Sequence, residues 1–426
     1  MIMDAHLDRS TSQRIRVAAA GFCMQLALGA VYGWSVFLDP LREQFGASRS
    51  EANLTFTLTL AVLGITAAFG GGLQRRIGPR ATAAIAGVLY GCGVILSGFA
   101  PNLGTLYVFY GVLGGIGLGL GYIVPLAVLI EWFPDRRGFI TGLAVTGFGL
   151  GALITSPLAT ELIKAHGVQS TLTILGAAYL LIVVAAARFL RPAPANYAPP
   201  GWTPVARQAP TSGAQVTLRE ALRTPHWYLL WSMLALNVTA GAALISVAAP
   251  LAQELAQVGP ALGALVVCVI SLFNGIGRLF WGALSDRLGR PRTFLALFLL
   301  QTAAFAALPA VDHFAVLLLP AAVIALCYGG GFGTMPAFAT DVFGAKNAGT
   351  IYGAMLTAWS AGAIVGPLLI VALPYRTALA LIAGMLALAA ALPLLFSALA
   401  RHGDAARADK KLNVWAKVDV AFASPR

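Results

Sequence analysis

The chain has 426 residues, of which 58% are hydrophobic and 10% are charged, and its mean hydropathy is +0.81. A soluble globular protein carries about 25% charged residues, so this composition excludes a soluble domain. The net charge of +12 does not indicate a nucleic-acid partner, because the basic residues occupy short connectors between apolar runs.

Long apolar segments dominate the sequence, and segments of about twenty residues predict helices that span a membrane. Twelve segments follow one another, at 14–38, 52–73, 80–100, 104–131, 138–162, 169–190, 226–252, 261–284, 292–310, 314–339, 348–371 and 376–399. We therefore expect an all-α membrane protein with twelve transmembrane helices in two six-helix bundles. The predicted domains are an N-terminal bundle (1–190), a central loop (191–225), a C-terminal bundle (226–400) and a tail (401–426).

The basic residues between these segments predict the orientation in the membrane. With the N-terminus inside, one side collects Arg14, Arg16, Arg75, Arg76, Arg80, Arg136, Arg137, Arg188, Arg191, Arg207, Arg219, Arg223, Arg287, Arg290, Arg292, Lys346, Lys410 and Lys411. The other side keeps only Arg42, Arg49, Lys164 and Arg376 in its connectors. Because Lys and Arg accumulate on the cytoplasmic side, both termini, the central loop and the tail are predicted to be cytoplasmic, in an inner or plasma membrane.

The two halves of the sequence repeat at an offset of 211 residues. The matching pairs are Gly71 and Gly282, Leu73 and Leu284, Arg76 and Arg287, Gly78 and Gly289, Gly142 and Gly353, and Gly151 and Gly362. A parallel repeat of two six-helix bundles predicts a substrate site between the halves, near the middle of the membrane.

One cation lies inside a predicted transmembrane helix. Arg278 occurs in the run LGALVVCVISLFNGIGRLFWGAL (Leu262 to Leu284), which contains no acidic residue. A cation at this depth costs about 2.5–3.5 kcal/mol on insertion scales, so it is rarely kept without a use. We expect Arg278 to face an aqueous cavity and to bind a small anion, a carboxylate above all, because a guanidinium matches a carboxylate bidentately. A structural arginine that donates to helix carbonyls is the alternative.

Asn274 precedes Arg278 by four residues and therefore shares its helical face. Its amide is expected to contact the substrate or to orient the arginine.

Two basic turns have the same place in each half. GGLQRRIGPR (Gly71 to Arg80) and WGALSDRLGRPRT (Trp281 to Thr293) resemble the signature loop of the major facilitator superfamily. The resemblance implies a secondary transporter fold in which this loop latches the cytoplasmic gate through an acid. It assigns a gating role to Asp286, Arg287 and Arg76. The first copy has Arg75 where the second has the acid, and a plain membrane-anchoring turn is the alternative.

Within that superfamily the chain resembles the oxalate:formate antiporter and monocarboxylate transporter group. The resemblance rests on LFNGIGRLFWGALSDRLGR (Leu272 to Arg290), YIVPLAVLIEWFPDRRG (Tyr122 to Gly138) and CYGGGFGTMP (Cys327 to Pro336). It implies that Arg278 is the arginine that binds the substrate carboxylate. It also implies that three tyrosines line the central cavity, with packing or interfacial anchoring as the alternative for each: Tyr32, Tyr122 and Tyr328.

The chain departs from this group at two positions. Trp359 stands where the resemblance expects the second cation of the oxalate exchanger, a lysine, which favours a monocarboxylate over oxalate. Asn274 stands where eukaryotic monocarboxylate carriers have an aspartate for proton coupling. Phe148 and Trp359 are equivalent at the 211-residue offset, so they are expected to cap the cavity, with aromatic packing between the bundles as the alternative.

These observations predict a secondary active transporter that moves monocarboxylates such as lactate, pyruvate or formate by alternating access, coupled to protons. An oxalate:formate-type antiporter is the alternative. The expected partners are the carboxylate, protons and the lipid bilayer, with no cofactor, no metal, no nucleic acid and a monomeric state. An enzyme is not expected, since no polar cluster offers a nucleophile with a base. Two other classes of protein fit less well. A carrier for cationic drugs should hold an acid within the membrane, and this sequence shows none there. A membrane sensor should add a sizeable soluble domain, and the tail after Arg401 is too short for one.

Overall fold

The computed structural model describes residues 2–135, 137–194, 197–199, 216–311, 313–344 and 347–399. Its α-helices are α1 Ile2–Leu28, α2 Ser35–Phe45, α3 Arg49–Ile77, α4 Pro79–Ser97, α5 Leu103–Leu106, α6 Gly115–Trp132, α7 Arg137–Ala187, α8 Leu218–Ala221, α9 Pro225–Ala256, α10 Pro260–Leu288, α11 Arg290–Ala307, α12 Phe314–Phe343, α13 Ala348–Met355, α14 Thr357–Ala372 and α15 Tyr375–Ala389. Two 3₁₀ segments, Gly29–Gly33 and Leu308–Ala310, and a π-helical segment, Tyr107–Gly114, join some of them.

Eleven helical stretches of the described residues are long and apolar enough to cross a membrane. The count differs from the predicted twelve because the stretch Gly142–Ala187 contains two predicted segments, 138–162 and 169–190. Gly167 breaks this stretch with a φ of 78°, a left-handed conformation that suits glycine. The predicted fold class is therefore confirmed, and a one-residue turn replaces the expected connector.

The first predicted segment, 14–38, is not one uninterrupted α-helix. The α-helix α1 ends at Leu28, and the 3₁₀ segment Gly29–Gly33 leads into α2. This change of helix type is local and falls beside the centre of the molecule, where Tyr32 is 2% exposed. A 3₁₀ stretch within a longer helix often marks a hinge.

The internal repeat is visible in the backbone of the two basic turns. Gly78 ends α3 with a φ of 82°, and Gly289 ends α10 with a φ of 85°. The amide of Gly78 donates to the Gln74 carbonyl, and that of Gly289 donates to the Ser285 carbonyl, at the same 211-residue offset. Only glycine adopts this conformation without strain, which explains why both turns contain it.

The two halves meet along two long seams between helices. In one seam, α7 lies against α10, and Ser271 Oγ donates to the Gly149 carbonyl at 2.8 Å. In the other, α3 lies against α14, and Ser360 Oγ donates to the Ala61 carbonyl at 2.7 Å. Gly149 has room for no side chain, because a Cβ there would lie 2.8 Å from Gly275 Cα. Small residues thus allow the close approach that packing between membrane helices requires.

The seams have two ends, which we name by the position of the N-terminal helix. The proximal face is the one where α1 begins, and the distal face is the one where α3 and α10 begin. The sequence predicts that the proximal face is cytoplasmic. This orientation and the domain boundaries at 190 and 226 stay predictions. Residues 200–215 and the tail 401–426, with Arg207, Lys410 and Lys411, lie outside the described residues, as do Arg136 and Lys346.

Candidate functional site

Arg278 lies at the centre of the molecule, at the junction of the two halves. Its side chain is 1% exposed, and it is the only fully buried charged side chain among the described residues. Arg278 Nε donates to Asn274 Oδ1 at 3.4 Å, one helical turn earlier. Both Nη atoms and Asn274 Nδ2 are buried without a hydrogen bond of acceptable geometry. Because an unsatisfied buried donor is costly, this group of donors is suited to an acceptor from outside the chain.

Aromatic rings surround the guanidinium. Arg278 Cζ lies 5.1 Å from the centroid of the Phe332 ring and 5.8 Å from that of Phe148. Contacts between a cation and an aromatic ring at this distance offset part of the cost of burial. Trp359 lies 5.7 Å from Phe148, ring to ring, and its Nε1 is also buried without a hydrogen bond of acceptable geometry. The aromatic rings therefore form the walls of the site, and the buried nitrogen atoms of Arg278, Asn274 and Trp359 are available as hydrogen-bond donors.

Three tyrosines complete this cluster from both halves. Tyr32 Oη and Tyr328 Oη are 2.8 Å apart, which joins the 3₁₀ segment after α1 to α12. Tyr122 contacts Phe148 and Trp359, with ring centroids 5.3 and 5.1 Å apart. The structure thus brings together all seven residues that the sequence predicts to bind substrate: Arg278, Tyr328, Tyr122, Tyr32, Asn274, Trp359 and Phe148.

The cluster is closed, contrary to the expectation that Arg278 faces an aqueous cavity. Tyr32, Tyr122, Tyr328, Phe148 and Trp359 are each no more than 2% exposed, so they close over the arginine. The seams explain this, because they run toward both faces of the membrane. Gly142 approaches Leu279 toward the proximal face, and Asn53 Nδ2 donates to the Pro367 carbonyl at 3.5 Å toward the distal face.

The glycines after Tyr328 bring α12 close to α10. They do not break the helix, since α12 runs without interruption from Phe314 to Phe343. A Cβ on Gly329 would lie 2.1 Å from the Asn274 carbonyl oxygen, and one on Gly333 would lie 2.2 Å from the Arg278 carbonyl oxygen. The glycines therefore let α12 lie directly against the backbone of the two polar residues of α10.

A chain of buried amides supports Tyr328 from behind. Asn237 Nδ2 donates to the Tyr328 carbonyl at 3.1 Å, and Gln301 Nε2 donates to Asn237 Oδ1 at 2.8 Å. Both amide side chains are fully buried. This pair was not among the residues predicted from the sequence, although an Asn and a Gln in the middle of predicted transmembrane helices are a signal in themselves.

Two aromatic neighbours of Arg278 were also missed. Phe332 lies four residues after Tyr328, within the CYGGGFGTMP string, and its ring centroid is 4.7 Å from that of Trp359. Tyr352, on α13, is a neighbour of Tyr122 and Arg278. The helical spacing from Tyr328 identifies Phe332, whereas no pattern in the sequence distinguishes Tyr352.

The predicted gating residues lie at the proximal ends of the helices. Asp286 pairs with Arg290 at 2.7 Å, and Arg290 pairs with Asp341 of α12 at 2.9 Å, so this cluster joins three helices of the C-terminal half. In the N-terminal half, Arg14 pairs instead with Asp135. Arg76 and Arg287 are exposed, and neither has an ion pair with a described residue. Their gating role therefore stays a prediction.

Comparison with known proteins agrees with this architecture. The family model of the Major Facilitator Superfamily matches residues 17–367 and 230–425. The chain is 33% identical to the uncharacterized MFS-type transporter YhjX of Escherichia coli (strain K12) over 349 residues, which cover 80% of this chain and 83% of that protein.

It is 28% identical to the oxalate:formate antiporter of Oxalobacter formigenes over 79% of each chain. Among solved structures, it resembles an inward-facing, unoccupied bacterial homolog of the human lysosomal transporter Spinster, with a TM-score of 0.70, 17% identity, and coverage of 90% of this chain and 97% of that one. At that identity, the structural match concerns the fold alone. The chain belongs to the major facilitator superfamily of membrane transporters.

Proposed function

We propose that this protein is a secondary active transporter that moves small monocarboxylates, of the lactate, pyruvate or formate type, by alternating access. Arg278 binds the carboxylate, and Asn274 holds the guanidinium in place. Tyr32, Tyr122 and Tyr328 supply hydroxyl groups around the substrate. Phe148 and Trp359 limit its size.

The observation that carries this proposal is a set of buried donor atoms that make no hydrogen bond of good geometry, although the Tyr122 hydroxyl lies near Arg278 and the Tyr328 hydroxyl lies near Trp359. Arg278 Nη1 and Nη2, Asn274 Nδ2 and Trp359 Nε1 are all donors. A carboxylate is an acceptor with two oxygens, and it fits the planar fork of a guanidinium bidentately. A structural arginine, the alternative from the sequence, should instead donate its Nη atoms to helix carbonyls, and these Nη atoms make no such bond.

The charge of the site favours one carboxylate per substrate. Arg278 is the only fully buried cation among the described residues, so one negative charge balances it. A dianion leaves a second charge without a partner in a region of low dielectric constant, where the cost is several kcal/mol. Trp359, in place of a second cation, adds aromatic surface that suits a small carbon skeleton.

We also propose that transport is coupled to protons. The guanidinium and the carboxylate form a neutral pair, which the two halves can close over without burying net charge. No acid is fully buried in the described part of the chain, so the proton is expected to travel by a route other than a buried carboxylate. The alternative, carboxylate exchange, is favoured by the similarity to the oxalate:formate antiporter. We further propose a monomer in the plasma membrane, with the proximal face in the cytoplasm.

Uptake into proteoliposomes tests the proposed function. Purified protein is reconstituted, and the uptake of labelled lactate, pyruvate, formate and oxalate is measured with and without an inward proton gradient at zero membrane potential. We expect the gradient to raise the uptake of the monocarboxylates, with protein-free liposomes as the control. A rate that ignores the gradient but rises with carboxylate loaded inside supports exchange. If none of the four acids moves, the proposed substrate class is wrong.

A further inference from the structure

A second group of charged residues lies at the distal face, away from Arg278. They line a cavity of about 840 Å³ between α2, the start of α3, the middle of α7 and the junction of α9 with α10. Its basic residues, Arg42, Arg49 and Lys164, lie beside three acidic ones, Asp39, Glu43 and Glu254. The cavity therefore opens between the two halves at the end of the seams where a substrate arriving from the distal side first meets the protein.

The three basic residues differ in where their partners lie. Arg42 Nη1 donates to Asp39 at 2.7 Å, within α2, and Lys164 Nζ donates to Glu161 at 2.6 Å, within α7. Arg49 alone reaches across the seam, where its Nη2 donates to Glu254 Oε2 of α9 at 2.9 Å.

Arg49 also touches a second element of the C-terminal half. Its Cζ lies 4.6 Å from the centroid of the Tyr375 ring, at the start of α15. Two other distal hydrogen bonds between the halves are neutral and longer. Ala249 N donates to Ser35 Oγ at 3.3 Å, and Asn53 Nδ2 donates to the Pro367 carbonyl at 3.5 Å. Charge-assisted hydrogen bonds are stronger than neutral ones, so Arg49 holds the strongest of these distal contacts.

The pair of Arg49 and Glu254 is open to competition by a dissolved anion. The side chains are 30% and 51% exposed, and an ion pair so exposed contributes little stability. Glu254 uses one oxygen only, and Arg49 Nε is buried without a hydrogen-bond partner. A free carboxylate can therefore make more hydrogen bonds to this guanidinium than Glu254 does.

We propose that the distal cavity is a second carboxylate site, at which the arriving anion replaces Glu254 on Arg49 and so releases the distal contact between the two halves. That the anion is a carboxylate rests on the proposed function. Arg49 has two roles in it, since it binds the anion and closes the gate. Glu254 has one role, because it only closes the gate.

A thiol at the inner wall of the cavity reports whether the distal gate opens. Ala249 lines the cavity and is 2% exposed, so Ala249→Cys should react slowly with a membrane-impermeant maleimide in the closed state. The four native cysteines are replaced first. Labelling is measured in right-side-out and in inside-out vesicles, so that the result does not depend on the predicted orientation.

Two variants remove the contact, and a third serves as the control. We expect Glu254→Gln and Arg49→Gln to raise the labelling rate about 1.4-fold to fivefold, the range for one exposed charged contact. Arg376→Gln removes a positive charge from an exposed residue of the same face, outside the cavity lining, and should leave the rate unchanged. If Glu254→Gln labels no faster than its parent, the pair does not hold the gate and the proposal is overturned.

The same assay detects the anion. Sodium lactate should raise the labelling of the Ala249→Cys parent above the level in sodium chloride of equal ionic strength, and it should have no such effect in Arg49→Gln. Equal labelling in lactate and chloride overturns the anion site. This assay requires no transport, so its failure is distinct from a failure of the proposed function, which appears as absent uptake.

Kinetics provide a measurement without the added cysteine. For uptake from the distal side, Arg49→Gln should raise the KM for lactate about threefold to tenfold, while Glu254→Gln should lower it or leave it unchanged. The KM for uptake from the proximal side should not change in either variant. An equal change in both variants means that the pair only closes the gate, which overturns the assignment of Arg49 as an anion-binding residue.

Discussion

The two halves of the molecule share one backbone plan but place different chemistry at the centre. In the equivalent pair, Gly151 lies against the end of α1 and the 3₁₀ segment that follows it, and Gly362 lies against α9. The central side chains do not repeat in this way. At the 211-residue offset, Ala67 is the equivalent of Arg278 and Leu63 is the equivalent of Asn274.

Both halves thus contribute phenols and rings, and the C-terminal half also contributes the cation and the buried amides. Asn237 donates to the backbone of Tyr328 and Gln301 donates to Asn237, whereas Tyr32 lies within the 3₁₀ segment Gly29–Gly33 of the N-terminal half. A two-fold arrangement suits alternating access, because the halves rock against each other. An asymmetric pair of surfaces suits a small anion, which needs one charged anchor rather than two.

The largest expected effect comes from the residue that breaks the symmetry most. Arg278→Lys keeps the charge but removes the planar fork, so the carboxylate loses charge-assisted hydrogen bonds of about 1.5–3 kcal/mol. We expect kcat/KM for lactate to fall about tenfold to a hundredfold. The measurement is initial uptake into proteoliposomes, together with the melting temperature of the purified variant.

Arg223→Lys is the matched control, because it makes the same chemical change at an exposed residue between α8 and α9. It should transport at the parental rate. Normal uptake by Arg278→Lys would make the arginine structural, and the contrast between the halves would then concern packing rather than binding.

Much of this asymmetry could be predicted from the sequence, and the reasons are specific. Arg278 was identified because a lone cation in an apolar run is costly, and the repeat identified Phe148 and Trp359 as a pair. Phe332 was missed because a phenylalanine in a transmembrane helix looks like any other packing residue. The contact of Arg49 with Glu254 joins residues 205 apart in sequence, and no local pattern encodes it.

The closed state was not predictable either. A transporter sequence must support several conformations that differ by only a few kcal/mol, so composition and periodicity do not select one of them. The structure is the closed conformation, in which the tyrosines and the tryptophan are buried, and an aqueous cavity at Arg278 would require another one.

An intermediate effect is expected from adding a second cation to the cluster around Arg278. In the parent, lactate should compete for transport far better than oxalate, because each 1.4 kcal/mol of unbalanced charge costs tenfold in affinity. Trp359→Lys supplies a second cation and removes aromatic bulk, so it should narrow the gap between the two acids about tenfold or more. The measurement is inhibition of labelled lactate uptake by each unlabelled acid.

Trp359→Phe separates charge from size. It removes bulk without adding a cation, so the preference for lactate over oxalate should stay close to that of the parent. Equal inhibition by oxalate and lactate in the parent itself would contradict the argument from a single cation, whatever the variants do.

The smallest effect is expected at the hydroxyl pair that joins the halves. Tyr32→Phe and Tyr328→Phe each remove the same hydrogen bond, which contributes about 0.5–1.5 kcal/mol, so each should lower kcat/KM about twofold to tenfold. Because the two hydroxyls act as one contact, the double variant should be barely worse than the poorer single variant. Tyr90→Phe is the control, since its buried hydroxyl has no partner to lose. Fully additive losses would show that each tyrosine acts separately, so that the N-terminal half contributes a hydroxyl of its own to the substrate.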